Sequence, residues 1–240
     1  GKTTTTGLIT HVLNELGFNP SFMVGGDVLS LDSFIKDTNS DFSVMEGDEY
    51  HNPNFSNGAK FLEYKPKYLV ITNIGWEHQD IFPTKESYIA EFKKIISLLP
   101  KNGLIVAKAG DENIDSILEN APCKVIRFGF EKENQAFVEV KNKEYSISFE
   151  NKIIKGEMNL VGNFNALNYA AAVLLFSNIK KIKENFKLSE LVKAANSYRG
   201  VKKRMEILYD SEEIVVIDDF APAPNRVENS LQAIKESYPN

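Results

Sequence analysis

The chain opens on Gly1-Lys2-Thr3-Thr4, which matches the end of the phosphate-binding loop pattern G-x-x-x-x-G-K-[ST]. In such a loop the backbone N–H groups cradle phosphates, the lysine reaches the β- and γ-phosphates, and the hydroxyl holds Mg²⁺. Apolar residues then recur at helical spacing from Leu8 to Leu16, and Gly17 stands where a C-cap glycine belongs. A helix that begins at the loop directs its positive end at the phosphates, so this segment predicts a nucleotide site. The alternative is a threonine-rich helix start without a ligand.

Length and composition are those of an ordinary globular protein. The 240 residues are 42% hydrophobic and 25% charged, which is enough to bury a core. A net charge of −5 provides no basic field for nucleic acid, and no apolar run approaches the roughly 20 residues of a membrane span. The single cysteine, Cys123, excludes an internal disulfide and fits a reducing compartment, so we expect a cytoplasmic protein. The composition does not indicate the oligomeric state.

Apolar runs alternate with helical patterns along the chain, which predicts an α/β fold with a mostly parallel sheet. A helical stripe spans 88–99, and further helices are expected at 165–176 and 189–198. Between 136 and 149 the apolar period changes to two, which predicts a small antiparallel hairpin added to the sheet. The buried strands are predicted at 21–24, 42–45, 68–72, 104–107 and 124–128.

The end of the chain has its own strand and helix pattern. A strand is predicted at 214–217, followed by a helix with Val227, Leu231, Ile234 and Tyr238 on one face. One such unit cannot form a core, so we divide the chain into a domain at 1–206 and the start of a second domain at 207–240. Because the phosphate loop also lacks its first glycine and preceding strand, we expect a piece of a longer protein that is inactive alone.

Two candidate metal ligands follow predicted strands. Glu46 comes directly after the strand at 42–45, and His78 follows the strand at 68–72. Ligands in α/β folds bind at the carboxyl ends of strands, so both side chains could meet Thr3 around a cation. The alternatives are an acidic solvated turn for Glu46 and a structural role for His78.

Two further groups could contact a nucleotide. Asn165 and Asn168 lie three residues apart, share a helix face, and could pair with adenine, although Asn165 could equally be a helix N-cap. Arg204 ends a basic cluster that could neutralise phosphate or form a solvated patch.

The order of these motifs along nearly the whole chain resembles the Mur ligase family. The motifs are G-K-T-T-T-T, E-G-D-E-Y, N-I-x-x-x-H-x-D-I-F, L-V-G-x-x-N-x-x-N, G-V-K-K-R-M-E and D-D-F-A-x-x-P. The resemblance implies a P-loop-type central ATPase domain followed by the start of a Rossmann-like C-terminal domain. It also implies an ATP- and Mg²⁺-dependent ligase that forms an amide through an acyl phosphate of UDP-N-acetylmuramate.

Within the family, three segments are similar to the branch that recycles muropeptides: E-G-D-E-Y ending at Tyr50, Lys60-Phe61 beyond it, and H-Q-D-I-F beginning at His78. That branch attaches a murein tripeptide to UDP-N-acetylmuramate. The branch that adds L-alanine is the alternative, and typically has Ser at the position of Tyr50. A nucleotide-binding module without ligase activity is the alternative from another class of protein.

The resemblance also implies roles for individual residues. Lys2, His78 and Arg204 match catalytic positions, and Thr3, Glu46 and His78 match metal ligands. The nucleotide-binding positions implied are Gly1, Lys2, Thr3, Thr4, Asn165, Asn168, Arg204 and Asp219.

The chain departs from the family pattern at three positions. Phe164 stands at a position usually held by His, and Pro222 and Ala223 replace two further histidines. Some relatives carry a carbamylated lysine after the His motif. Lys93 and Lys94 lie in that region, but Phe92 fits the register better, so we expect no modified lysine.

Overall fold

The structure is a computed structural model that describes residues 1–52, 56–221 and 224–238. The departures at Pro222 and Ala223 therefore lie outside the described residues. The helices are α1 (Lys2–Glu15), a 3-10 helix (Lys60–Tyr64), α2 (Lys85–Leu98), α3 (Glu112–Leu118), α4 (Phe164–Asn178), α5 (Lys180–Lys183), α6 (Leu188–Asn196) and α7 (Pro224–Ser237). The strands are β1 (Ser21–Met23), β2 (Ile35–Lys36), β3 (Ser43–Met45), β4 (His51–Asn52), β5 (Ser56–Ala59), β6 (Tyr68–Ile71), β7 (Leu104–Lys108), β8 (Lys124–Gly129), β9 (Ala136–Lys141), β10 (Glu144–Phe149), β11 (Lys152–Glu157), β12 (Glu206–Asp210) and β13 (Val215–Asp218).

The main sheet has six strands in the order β11-β10-β9-β8-β7-β6. Strands β6 to β9 run parallel, and β7 is the most buried of them, with Leu104 to Ala107 all buried. A continuous apolar run is typical of a parallel strand that is covered on both faces. The predicted α/β fold with a mostly parallel sheet and a small antiparallel addition is therefore confirmed.

The antiparallel part contains one strand more than the sequence analysis predicted. Strands β9 and β10 form the expected hairpin, and β11 continues it on the far side of β10. Glu150 and Asn151 join β10 to β11, and both have positive φ angles (47° and 59°). Positive φ at both central residues is the geometry of a tight hairpin turn, which normally favours Asn and Gly. The Glu-Asn pair is a weak signal for such a turn, and β11 was missed for that reason.

The strands predicted at 21–24 and 42–45 form a separate sheet. Its order is β2-β1-β3, with β1 and β3 parallel and β2 antiparallel at the edge. Because β1 and β3 are parallel neighbours, their carboxyl ends lie side by side. Residues 25 and 46 consequently meet, which matters for the site.

Helix α4 is the centre of the larger core. Its residues from Asn165 to Phe176 are all buried, and it lies between α1 and α6 on one side and strands β7 to β9 on the other. Four alanines keep the helix narrow enough to be enclosed in this way. On α1, a side chain at Gly7 would place Cβ 2.6 Å from the Tyr198 hydroxyl and 2.9 Å from Val28. Gly7 therefore allows α1 to approach the end of α6 closely.

The opposite face of the main sheet is covered by α2 and α3. Ile71, Ile105, Ile96 and Ile114 join the sheet to these helices in a second apolar cluster. Helix α2 begins at a capping box, in which the Thr84 side chain accepts a hydrogen bond from the Ser87 backbone N–H. This cap ends the loop after β6 at a defined place.

The last elements form a small unit of their own. Strand β13 is confirmed close to its predicted position, and it pairs antiparallel with β12, which was not predicted. Helix α7 contributes Ala233 to a small apolar cluster with Val161 and Met205. The division at residue 206 stays a prediction. Among the described helices, none has both the length and the apolarity needed to cross a membrane.

Candidate functional site

Helix α1 begins at the segment that the sequence analysis assigned to phosphate binding. Gly1 is its N-cap, and the Thr5 N–H donates to the Gly1 carbonyl at 3.1 Å. Lys2 is half-exposed and Thr3 is buried, while the Thr4 carbonyl accepts a hydrogen bond from the Tyr198 hydroxyl at 3.2 Å. The first turn of α1 carries no acidic side chain of its own, so any negative charge at the positive end of the helix comes from other segments.

Glu46 lies directly beside the start of α1. The Thr3 hydroxyl donates to Glu46 Oε1 at 2.8 Å, and the Gly25 N–H donates to Glu46 Oε2 at 2.7 Å. Glu46 follows β3 and Gly25 follows β1, and the parallel pairing of these strands brings the two residues together. The structure therefore places a hydroxyl and a carboxylate oxygen next to each other, as the sequence analysis expected for Thr3 and Glu46. Adjacent oxygens of this kind suit a hard cation such as Mg²⁺.

Glu49 is a residue of the site that the sequence analysis did not identify. Its side chain is only 3% exposed, and one oxygen forms an ion pair with the Lys2 ammonium. The other oxygen lies 3.1 Å from His78 Nε2 and 3.5 Å from the Tyr88 hydroxyl. Burial, together with the charge of Glu49, raises the pKa of Tyr88, so its hydroxyl remains a donor. The available signal was a second glutamate, three residues after Glu46 in the same segment.

His78 is fixed by the turn in which it lies. Its φ is 57°, and its carbonyl accepts hydrogen bonds from the N–H groups of Ile81 (2.9 Å) and Phe82 (2.8 Å). The Trp76 indole N–H donates to the Phe82 carbonyl at 3.0 Å and closes the same turn. The Tyr50 ring lies 4.1 Å from the imidazole, centre to centre. Backbone and neighbouring ring together direct the imidazole at Glu49.

The second group of possible metal ligands consists of Glu49, Glu77 and His78. Their ligand atoms lie within 4.8 Å of one another. Glu46 is not part of this group, so the structure joins His78 to Glu49 and Glu77, and joins Thr3 to Glu46. Glu77 also accepts two hydrogen bonds from the Arg226 guanidinium, at 2.5 and 2.7 Å. The predicted ligands thus occupy two neighbouring polar groups that are linked through Lys2 and Thr3.

Asn165 and Asn168 lie on α4 against the start of α1. Asn168 Oδ1 accepts a hydrogen bond from the Thr5 hydroxyl at 2.9 Å and lies 3.5 Å from the Gly1 nitrogen. Its amide donates to Asn165 Oδ1, and the Asn165 amide donates to the Val161 carbonyl, both at 2.7 Å. Both side chains are buried and satisfied by protein partners. They tie the phosphate segment to α4, and their pairing with adenine stays a prediction.

Arg204 and Asp219 lie together at the start of the last unit. The Arg204 guanidinium stacks on the Phe220 ring at 5.5 Å and donates to the Phe220 carbonyl at 3.2 Å. Asp219 accepts hydrogen bonds from the Met205 N–H at 2.9 Å and from the Ser230 hydroxyl. Asp219 therefore holds the segment after β13 to the segment after Arg204. The phosphate contact of Arg204 and the ribose contact of Asp219 stay predictions.

Residues 1–176 match the model of the Mur ligase middle domain. The chain belongs to the Mur ligase family. Members of this family are ATP-dependent ligases that form amide bonds. The family resemblance inferred from the order of the motifs is thereby confirmed.

Curated relatives within the Mur ligase family include UDP-N-acetylmuramate–L-alanine ligases. The protein of that name from Clostridium botulinum (strain Hall) is 30% identical over 249 aligned positions, which cover 100% of this chain and 51% of the relative. The one from Clostridium tetani is 29% identical with the same coverage. The chain spans about half the length of these relatives.

Solved structures of Mur ligases have the same fold. UDP-N-acetylmuramate-alanine ligase from Thermotoga maritima superposes with a TM-score of 0.77 and is 28% identical, covering 100% of this chain and 53% of that one. The UDP-N-acetylmuramate:L-alanyl-γ-D-glutamyl-meso-diaminopimelate ligase from Neisseria meningitides gives a TM-score of 0.73 at 23% identity. It covers 84% of this chain and 64% of that one. At that identity the likeness shows the fold alone.

Proposed function

We propose that the protein carrying this chain is an ATP- and Mg²⁺-dependent ligase that joins the carboxylate of UDP-N-acetylmuramate to an amine. The observation that carries the proposal is the convergence of Lys2, Thr3, Glu46, Glu49 and His78 at the positive end of α1. These side chains come from segments far apart in the sequence. Phosphoryl transfer needs alignment and neutralisation of charge more than it needs a protein nucleophile. This set supplies the Lys2 ammonium, the Thr3 hydroxyl, two carboxylates and an imidazole.

Individual roles follow from where the side chains lie. Lys2 would contact the β- and γ-phosphates, helped by the backbone N–H groups at the start of α1. Thr3 and Glu46 would hold one Mg²⁺ through the adjacent oxygens, and His78 would contribute a nitrogen ligand to a second cation. When bound, such a cation neutralises charge that develops on the transferred phosphoryl group. Arg204 would add positive charge on the side of the last unit.

The reaction proceeds in two steps. An oxygen of the substrate carboxylate forms a bond to the γ-phosphorus, and ADP leaves with the electrons of the broken P–O bond. The amine then attacks the carbonyl carbon of the acyl phosphate, loses a proton, and expels inorganic phosphate. Each turnover therefore forms one amide, one ADP and one phosphate, and the residues above act by position and charge.

For the amine donor we propose a murein tripeptide. The residues that resemble the recycling branch form one connected unit next to His78. The Lys60 ammonium pairs with Asp48 at 2.9 Å, and the Lys60 N–H donates to the Tyr50 carbonyl, also at 2.9 Å. The Phe61 N–H donates to the Asp48 carbonyl at 3.0 Å. Tyr50 in turn packs on the His78 ring, so the residues that resemble the recycling branch lie next to the candidate site.

L-Alanine is the second candidate for the amine. It is favoured by the curated relatives, whose name includes L-alanine, at 28 to 30% identity over the whole of this chain. Both candidates share the carboxylate substrate and the use of ATP, so they differ only in the amine.

The experiment that separates the candidates follows phosphate release by the full-length protein with Mg-ATP and UDP-N-acetylmuramate. L-Alanine is offered in one reaction and L-Ala-γ-D-Glu-meso-diaminopimelate in the other. We expect release with the tripeptide. Release with L-alanine alone would instead identify the second candidate. ATP binding without release under either condition would contradict the ligase proposal and favour a nucleotide-binding module.

A further inference from the structure

We propose that Glu49 is a positioning residue, whose buried carboxylate holds the Lys2 ammonium on one oxygen and the His78 imidazole on the other. The inference rests on the proposed function, since Lys2 and His78 are the residues expected to contact phosphate and metal. It assigns a role to a side chain to which the sequence analysis gave none.

Burial makes this carboxylate dependent on its partners. The Glu49 side chain is 3% exposed, and an ionised carboxylate out of water is stable only when it is paired and hydrogen-bonded. Lys2, His78 and the Tyr88 hydroxyl supply those contacts. Each partner is in turn held by Glu49, so moving one of them changes the charge balance for the others.

Glu49 links two segments that lie far apart in the sequence. Lys2 belongs to the first turn of α1, and His78 belongs to the turn after β6. The Lys2 side chain is 48% exposed and has four rotatable bonds, so it needs a fixed partner to keep one orientation. Glu49 supplies this partner and sets the distance between the ammonium and the imidazole. Without it, both groups would still be present but would be poorly aligned for phosphoryl transfer.

A second buried carboxylate provides a matched comparison. Glu91 on α2 is 5% exposed, pairs with the Lys94 ammonium at 2.6 Å, and accepts a hydrogen bond from the Ala59 N–H at 2.9 Å. Its burial and its partners are of the same kind as those of Glu49. In the described part of the chain, however, its partners form no hydrogen bond or ion pair with Lys2 or His78, both of which contact Glu49. Glu91 therefore separates the effect of losing any buried carboxylate from the effect of misplacing Lys2 and His78.

The test is a double-mutant cycle in the full-length protein, with phosphate release as the readout. We expect Glu49→Gln to lower kcat by more than about tenfold while the fold is retained. In the Lys2→Ala background the same change should lower kcat by a clearly smaller factor, because one of the two groups that Glu49 positions is already absent. Glu91→Gln should change kcat by less than about threefold relative to its parent, whether or not that parent carries Lys2→Ala, although it lowers the melting temperature.

The inference is overturned if Glu49→Gln lowers kcat by the same factor with and without Lys2, since that is the behaviour of a purely structural residue. If Glu49→Gln does not fold, Glu49→Asp keeps the charge and withdraws the carboxylate by one methylene. A smaller loss with the same dependence on Lys2 is then expected, and an equal loss in both backgrounds contradicts the inference. No turnover by the wild-type protein would instead refute the proposed function, and with it any catalytic part for Glu49.

Discussion

Neighbouring residues at the start of α1 have different partners and therefore different tasks. Lys2 is half-exposed and pairs with Glu49, whereas Thr3 is buried and donates to Glu46. The direction of each side chain is set by a carboxylate from the segment that follows β3, Glu49 for Lys2 and Glu46 for Thr3. The motif predicted the lysine and the hydroxyl, but the division of the two acids between them follows only from the fold.

Removing the Lys2 ammonium or the His78 imidazole should reduce catalysis without unfolding the protein. We expect Lys2→Ala and His78→Ala each to lower phosphate release by more than about tenfold, because the proposed mechanism places Lys2 on the transferred phosphoryl group and His78 on a metal ion beside it. Lys94→Ala is the control, since it removes an exposed lysine that pairs with Glu91 away from the site. Undiminished turnover in either site variant would remove that residue from the mechanism.

Gly7 should be intolerant of any side chain for a steric reason. A Cβ there would lie 2.6 Å from the Tyr198 hydroxyl and 2.9 Å from Val28 Cγ2. We expect Gly7→Ala to lower the free energy of unfolding by about 1–3 kcal/mol, as overpacked core positions do. Gly47→Ala is the control, because a Cβ at Gly47 meets no atom within 4 Å. Urea denaturation of both variants measures the difference, and equal stabilities would contradict the packing described for α1.

At the level of elements, the sequence predicted the strands and helices whose apolar residues recur with a strong period. It missed the strands that are defined mainly by pairing with a neighbouring strand. The helix predicted at 88–99 and the strand at 104–107 were found close to their predicted bounds, because apolar spacing determines them. Strand β2 has two residues, both exposed, and carries almost no pattern to detect. Strand β12 exposes Leu208 and Tyr209, and it was missed because its pairing with β13 defines it.

Helix α7 is attached to the site by the pairing of Arg226 with Glu77. Both side chains are about one-third exposed, so we expect the pair to add at most about 1 kcal/mol to stability, with its main effect on local opening. Arg226→Ala should increase amide hydrogen exchange in α7 while the exchange of α4 is unchanged. Lys180→Ala, which removes an exposed helical pair with Glu184, should leave α7 unaffected. Unchanged exchange in α7 of the Arg226 variant would show that other contacts hold this helix.

In the molecule as a whole, the candidate site lies where two sheets present their strand ends to one helix. Strands β1 and β3 bring Gly25 and Glu46 together, and β6 of the other sheet leads to His78. The sequence indicated each strand end, and so predicted that Glu46 and His78 would approach α1. It could not show that His78 meets Glu49 instead of Glu46, because that depends on how the two sheets are placed around α1.

Nucleotide binding should stabilise the molecule if this shared site is correct. Ligand that binds the folded state raises stability by about 2.7 kcal/mol at a hundred times its dissociation constant. We therefore expect Mg-ATP to raise the melting temperature of the full-length wild-type protein. The shift should be much smaller for Lys2→Ala, and Lys94→Ala should respond as wild type does. Equal shifts in all three proteins would place nucleotide binding elsewhere.

In the proposed reaction, the substrate carboxylate is activated as an acyl phosphate at this site. The most direct measurement uses UDP-N-acetylmuramate with ¹⁸O in both carboxylate oxygens, together with Mg-ATP and the amine that supports turnover. Attack on the γ-phosphorus followed by displacement predicts that one ¹⁸O atom appears in the released phosphate for each amide formed. Amide formation with unlabelled phosphate, or phosphate release without amide, would contradict the account.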